Sequence, residues 1–92
     1  MNVKSISYLS DLADANPDDD NLDVHVTLGD GREFAFVFAT PSNVYSCMER
    51  EGIDYFFGSP MILVRSLTAD NIERAVQAIV AEDDGRWLGI YG

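Results

Sequence analysis

Positive charge is what this chain has least of. Its 92 residues hold one lysine, Lys4, and 6 Lys and Arg together, against 16 Asp and Glu, for a formal charge of −10. Neutralising phosphates takes clustered Lys and Arg, so this balance excludes an ordinary nucleic-acid binder. It favours a protein kept apart by self-repulsion, or one that meets a basic partner. Cysteine is nearly absent too. Cys47 stands alone, which excludes an internal disulfide framework and fits a reducing compartment. No apolar run approaches the roughly 20 residues that cross a bilayer. Met1 to Ser7 holds no apolar core of signal-peptide length. The expectation is a cytoplasmic protein without a membrane partner.

What is present is enough for one folded unit. The hydrophobic fraction is 47%, near the globular average, and a chain of this size builds one two-layer core. Residues 1–92 are therefore read as a single domain.

The clearest signal runs from Leu22 to Thr40. Leu22, Val24, Val26 and Leu28 alternate with Asp23, His25 and Thr27, the period of a half-buried strand. After Gly29-Asp30-Gly31, Phe34, Phe36 and Phe38 alternate with Ala35 and Val37, which makes a β-hairpin. Parity decides its turn. A two-residue Asp30-Gly31 turn pairs Val26 with Ala35 and sends the phenylalanines to the face opposite the valines. A three-residue loop, Gly29 to Gly31, pairs Val26 with Phe34 and gathers every large apolar group on one face. The three-residue loop is the expectation, with Gly31 left-handed.

Thr40 then reads as an N-cap, Pro41 as a first helical residue and Gly52 as a left-handed stop, for a helix over about 41–51 with Val44, Tyr45 and Met48 on one face. Met61 to Val64 is continuously apolar, which suits a central or doubly covered strand. Thr68 caps a second helix reaching about Asp83, with Ile72, Ala75, Val76, Ile79 and Val80 on one face. Its expected core residues are Ile72, Val76 and Ile79. Arg86 to Tyr91 reads as a final strand, parallel to Met61–Val64 through a β-α-β crossover. Val3 to Tyr8 fits a strand with Ile6 and Tyr8 inward, while Ile6, Leu9, Leu12 and Ala13 fit a helical stripe equally. The indifferent helix formers Ser5, Ser7 and Ser10 favour the strand. The order β-β-β-α-β-α-β describes an α+β domain, with a mixed, largely antiparallel sheet and two helices packed on one face.

Candidate chemistry is thin. Asp18-Asp19-Asp20 suggests calcium, but counted from Asp18 the fifth loop position is Leu22, which has no side-chain oxygen, and counted from Asn16 the twelfth is Thr27, where a glutamate belongs. A solvated acidic loop is the better reading. Asp23, His25 and Thr27 share a strand face, yet the expected cross-strand neighbours are Ala and Val, and nothing supplies an oxyanion hole. Cys47 lacks a second Cys or a nearby His for metal binding, and reads as a buried small apolar residue of the helix unless the fold brings His25 to it. Gly29-Asp30-Gly31 lacks the third glycine and following helix of a phosphate loop. No cofactor, metal or catalytic residue is expected. Tyr55-Phe56-Phe57, in a loop flanked by Gly and Pro, holds more aromatics than a turn needs and suggests a contact surface. Glu82, Asp83 and Asp84 end the second helix, where carboxylates oppose the helix dipole. That placement makes them the other candidate for a partner contact.

Asp20-Asn21-Leu22-Asp23-Val24, Leu28-Gly29-Asp30-Gly31-Arg32, Thr40-Pro41-Ser42-Asn43, Met61-Ile62-Leu63-Val64-Arg65 and Leu67-Thr68 lie in the hairpin, the short apolar strand and the two helix starts. In this layout the chain resembles small acidic bacterial α+β proteins, among them uncharacterised open reading frames and immunity proteins of toxin systems. The shared features are hairpin, strand and cap residues, so the resemblance transfers no functional residue. The leading expectation is a non-enzymatic binding protein whose acidic surface docks a basic protein, an immunity-type inhibitor being one concrete form. The alternatives are a small regulatory or scaffolding homodimer, and an enzyme using His25 or Cys47.

Overall fold

In the computed structural model, which describes residues 2–9, 11–57, 60–82, 86 and 88–91, the hairpin organises the molecule. β2 (Asn21–Leu28) and β3 (Glu33–Ala39) pair antiparallel with Val26 opposite Phe34, Val24 opposite Phe36 and Leu22 opposite Phe38. Leu28 donates its N–H to the Arg32 carbonyl at 2.8 Å, and Gly31 donates to the Leu28 carbonyl at 3.0 Å. The connection is thus the three-residue loop that parity requires. Gly31 has φ +92°, a backbone setting that side-chain-bearing residues resist.

β1 (Val3–Tyr8) pairs antiparallel with β2, and a bulge between Val3 and Ser5 shifts the register. The strand reading of the N-terminal segment holds, with Ile6 and Tyr8 half-buried. A single turn of 3-10 helix follows at Leu12–Asp14, capped by the Asp11 carboxylate. β4 (Ile62–Leu63) adds to the far side of β3 in parallel, which completes a four-stranded sheet of order β1-β2-β3-β4. The sheet is mixed and mostly antiparallel, and the fold is α+β.

The helices obey their caps. α1 (Pro41–Glu51) starts at Thr40, whose hydroxyl accepts from the Asn43 N–H, and stops at Gly52 with φ 68°. α2 (Ala69–Ala81) starts at Thr68, whose side chain accepts from the Asn71 N–H. The core gathers Leu22, Val24, Val26, Leu28, Phe36 and Phe38 from the hairpin against Ile72, Val76 and Val80 of α2. Leu88, from the short α3 (Leu88–Tyr91), completes it.

Several expectations are corrected. Within the stretch expected as the final strand, Leu88–Tyr91 is a short helix and not a strand. In a strand Leu88 and Ile90 would share a face; here Leu88 is buried and Ile90 is 51% exposed, so the segment enters the core as a helical turn. The β-α-β unit is therefore displaced. Its parallel strands are β3 and β4, with α1 between them. β4 is a sheet edge and not a central strand: it comes last in the strand order and pairs only with Phe38 and Ala39 of β3. Leu63 stays 53% exposed as a result. Of the helices over the core, α2 and α3 supply buried side chains and α1 supplies none. Within α2, Val80 and not Ile79 completes the buried row, since Ile72, Val76 and Val80 stand one turn apart while Ile79 lies at the row's flank.

Thr40 is the buried polar side chain of this core region. Its N–H donates to the Asp20 carbonyl at 3.2 Å, and its hydroxyl also accepts from the Asp20 N–H at 3.4 Å. The Asp18–Asp20 loop is therefore tied down. Ser42 donates to the Asp18 carbonyl, Ser46 and Asn43 reach the Asp19 carboxylate, and the Leu67 N–H binds the Pro17 carbonyl at 2.7 Å. The loop is solvated in its side chains but anchored in its backbone.

Two stability measurements follow. Ile72→Ala should cost about 2–5 kcal/mol, the range for a fully buried aliphatic truncation. Ile79→Ala should cost clearly less, and equal losses in urea denaturation would place Ile79 in the core after all. Gly31→Ala should cost about 1–2 kcal/mol through its positive φ alone, since a Cβ there meets nothing within 4 Å. Gly29→Ala, which meets Asn2 at ordinary contact distance, should be neutral or slightly stabilising. A Gly31→Ala protein as stable as the parent would contradict the bulged loop.

Candidate functional site

The loop after α1 carries the most exposed apolar surface among the described residues. Phe57 is 84% exposed, Tyr55 60% and Phe56 39%. That exposure keeps these rings out of the buried core. The Tyr55 and Phe57 rings stack at 6.1 Å between centroids with 7° between planes. Gly52 ends α1, and the Ile53 N–H returns to the Met48 carbonyl at 3.1 Å, which fixes where the loop departs. Ile53 is half-buried while Asp54 points to solvent beside the rings' chain segment.

The charges around this segment are unbalanced. Glu49, Glu51 and Asp54 are all exposed. Arg50, the cation among them, turns its guanidinium back along the helix, with Nη2 3.4 Å from Cys47 Sγ. Two other arginines are engaged elsewhere: Arg74 pairs with Asp70 at 3.0 Å, and Arg32 pairs with Asp30 at 2.8 Å while lying 5.9 Å from the centre of the Phe34 ring.

The remaining candidates are not gathered into a site. Glu82 is exposed and caps the end of α2, and no hydrogen bond, ion pair or ring contact among the described residues joins it to Tyr55–Phe57. Asp83 and Asp84 lie outside the described residues. Asp23 and His25 are exposed on the outer sheet face, with Ser7 and Ala35 flanking His25 on the neighbouring strands. Ser7 is a neighbour that the hairpin alone did not reveal, because β1 pairing is a tertiary fact. Cys47 is half-buried in α1. No group of three or more His, Cys, Asp or Glu is arranged to hold a metal ion among the described residues. No helix there is long and apolar enough to cross a membrane.

Three shallow grooves surround the sheet. One, of about 420 Å³, lies between β1 and α2 beside Lys4, Ile6, Glu73 and Gln77. Another follows β4 beside Pro41, Leu63 and Arg65, and a smaller one sits by Asp11, Asp14 and Asp20. Neither His25 nor Cys47 lines any of the three. Sequence reasoning missed two exposed apolar groups near the end of the sheet, Leu63 and Tyr45. A continuous apolar run does not reveal that its strand is an edge, and a helix stripe does not reveal how much of it is covered.

Comparison with protein-family models, with curated proteins and with solved structures finds no match. The functional argument therefore rests on the residues themselves.

The β1–α2 groove yields an electrostatic test. Burial, with the Glu73 carboxylate adding to it, pushes the Tyr8 phenol above its ordinary value of 10.0. The folded protein thus holds this proton more tightly than the unfolded chain. The associated stability is fully present below the unfolded value and is lost as pH rises through the folded one. Glu73→Gln should lower the Tyr8 value without restoring it fully, because burial is the larger cause. A site-resolved NMR titration reads this, and an unchanged midpoint would remove Glu73 from the environment of Tyr8.

Proposed function

We propose that this protein is a non-enzymatic binding module that docks a basic protein through an acidic surface, with the Tyr55–Phe57 loop as the apolar anchor of the contact. An immunity-type inhibitor of a basic toxin is the concrete form that fits a small acidic α+β chain. One observation carries the reading: stacked aromatic rings stand largely in water, next to a stretch in which the exposed carboxylates Glu49, Glu51 and Asp54 outnumber the one cation, Arg50. Large exposed aromatics are costly to leave bare and are enriched at interface hot spots. A carboxylate rim speeds encounter with a cationic surface and fixes its orientation. A self-associating subunit has less support, since two copies would each bring a charge of −10, and β4 offers an edge of two strand residues with Leu63 as its exposed apolar side chain.

The test is affinity capture with two baits in parallel, the parent protein and Tyr55→Ser/Phe57→Ser. Both replaced side chains are exposed, so folding should survive. The parent should retain a partner of high isoelectric point that the variant loses. Association should slow as salt rises from low to physiological strength. The same captured set with both baits, or binding indifferent to salt, would overturn the reading.

A further inference from the structure

We propose that the Tyr55–Phe57 pair is a seat for an arginine side chain of the partner, its guanidinium lying flat on the exposed ring face with Asp54 as counter-charge. The inference rests on the docking reading above and names its chemistry. Four observations support it. The rings lie in parallel planes within 7° of each other, and with Phe57 84% exposed its ring face as well as its edge is open to a partner. A planar, weakly hydrated cation stacks on such a face better than a compact ammonium does. The surface is unoccupied from within, since no cation among the described residues lies over either ring and Arg50 is turned toward Cys47. The flank supplies negative charge through the exposed Asp54 and Glu51. The same contact already exists inside the molecule, where the Arg32 guanidinium sits 5.9 Å from the Phe34 ring centre with Asp30 at 2.8 Å from its Nε. That trio of aromatic, guanidinium and carboxylate is the arrangement proposed for the interface, with the partner contributing the guanidinium. A second copy of this chain is the wrong occupant, because its own charge of −10 would be brought against this flank.

The test uses three short peptides of identical length: acetyl-Gly-Arg-Gly-Arg-Gly-amide, its lysine counterpart and its citrulline counterpart. Aromatic proton–carbon NMR spectra of the intact protein at low salt report which rings respond. The arginine peptide should shift the Tyr55 and Phe57 signals and bind about two- to five-fold more tightly than the lysine peptide. The neutral citrulline peptide should not bind. Tyr55→Leu/Phe57→Leu keeps apolar area but removes the π face, and it should abolish the arginine preference with an unchanged melting temperature. Tyr55→Phe should preserve it. Equal binding of arginine and lysine peptides at these rings would overturn the guanidinium seat while leaving acidic docking intact. No response of the rings to any cationic peptide would overturn both.

Discussion

The pairing of Val26 with Phe34 is the constraint on which the rest of the structure depends. It fixes the parity of β2 and β3 at once, and with it the side of the sheet that holds Leu22, Val24, Val26, Leu28, Phe36 and Phe38. A slip by one residue would turn either the valines or the phenylalanines to water. Each large side chain so displaced forfeits about 1.5–3 kcal/mol of burial, and the loss repeats along the strand. The glycine at φ +92° is what lets the loop keep this register.

The remaining elements are consequences of that apolar face. α2 covers it with Ile72, Val76 and Val80, and α3 closes it with Leu88. The polar face of β2 is left to solvent with Asp23 and His25, as an antiparallel sheet allows. At the far end of the hairpin, β3 hands over to α1 at Thr40. Because Thr40 caps the helix and also bonds both backbone groups of Asp20, the acidic loop is held at the start of α1. Strand, loop and helix therefore meet at one buried hydroxyl. α1 then carries the chain to the aromatic segment, and Gly52 directs it outward.

Function and stability divide along the same line. The groups that hold the fold are apolar and inward, and the carboxylates mostly remain in water where they contribute little to stability. The Tyr55–Phe57 segment breaks this division, since it places apolar rings where the acidic groups are. Stability has no use for an 84% exposed phenylalanine. Under the proposed docking, the short range of the stacked pair suits a contact made after longer-range charge attraction has brought a partner near.

The amino-acid sequence by itself determined the hairpin, its loop, both main helices and their caps, because each is written in local terms: alternation of two, a stripe of 3.6, Thr before Pro, glycine at a positive φ. The exposed aromatic loop was also legible from its excess of rings beyond what a turn needs. Tertiary structure decided what local pattern leaves open. Whether Ile62–Leu63 is edge or centre depends on whether a further strand pairs beyond it, and the sheet order ends at β4. Whether Leu88 enters the core as strand or helix depends on the space left beside β3, because four residues carry too little periodicity to choose. Ile79 and Val80 are equally apolar, and only the approach angle of α2 buries one and leaves the other at the flank. The stacking of Tyr55 on Phe57, and the turning of Arg50 away from them, are likewise side-chain choices. They follow from packing in three dimensions, to which composition and spacing are blind.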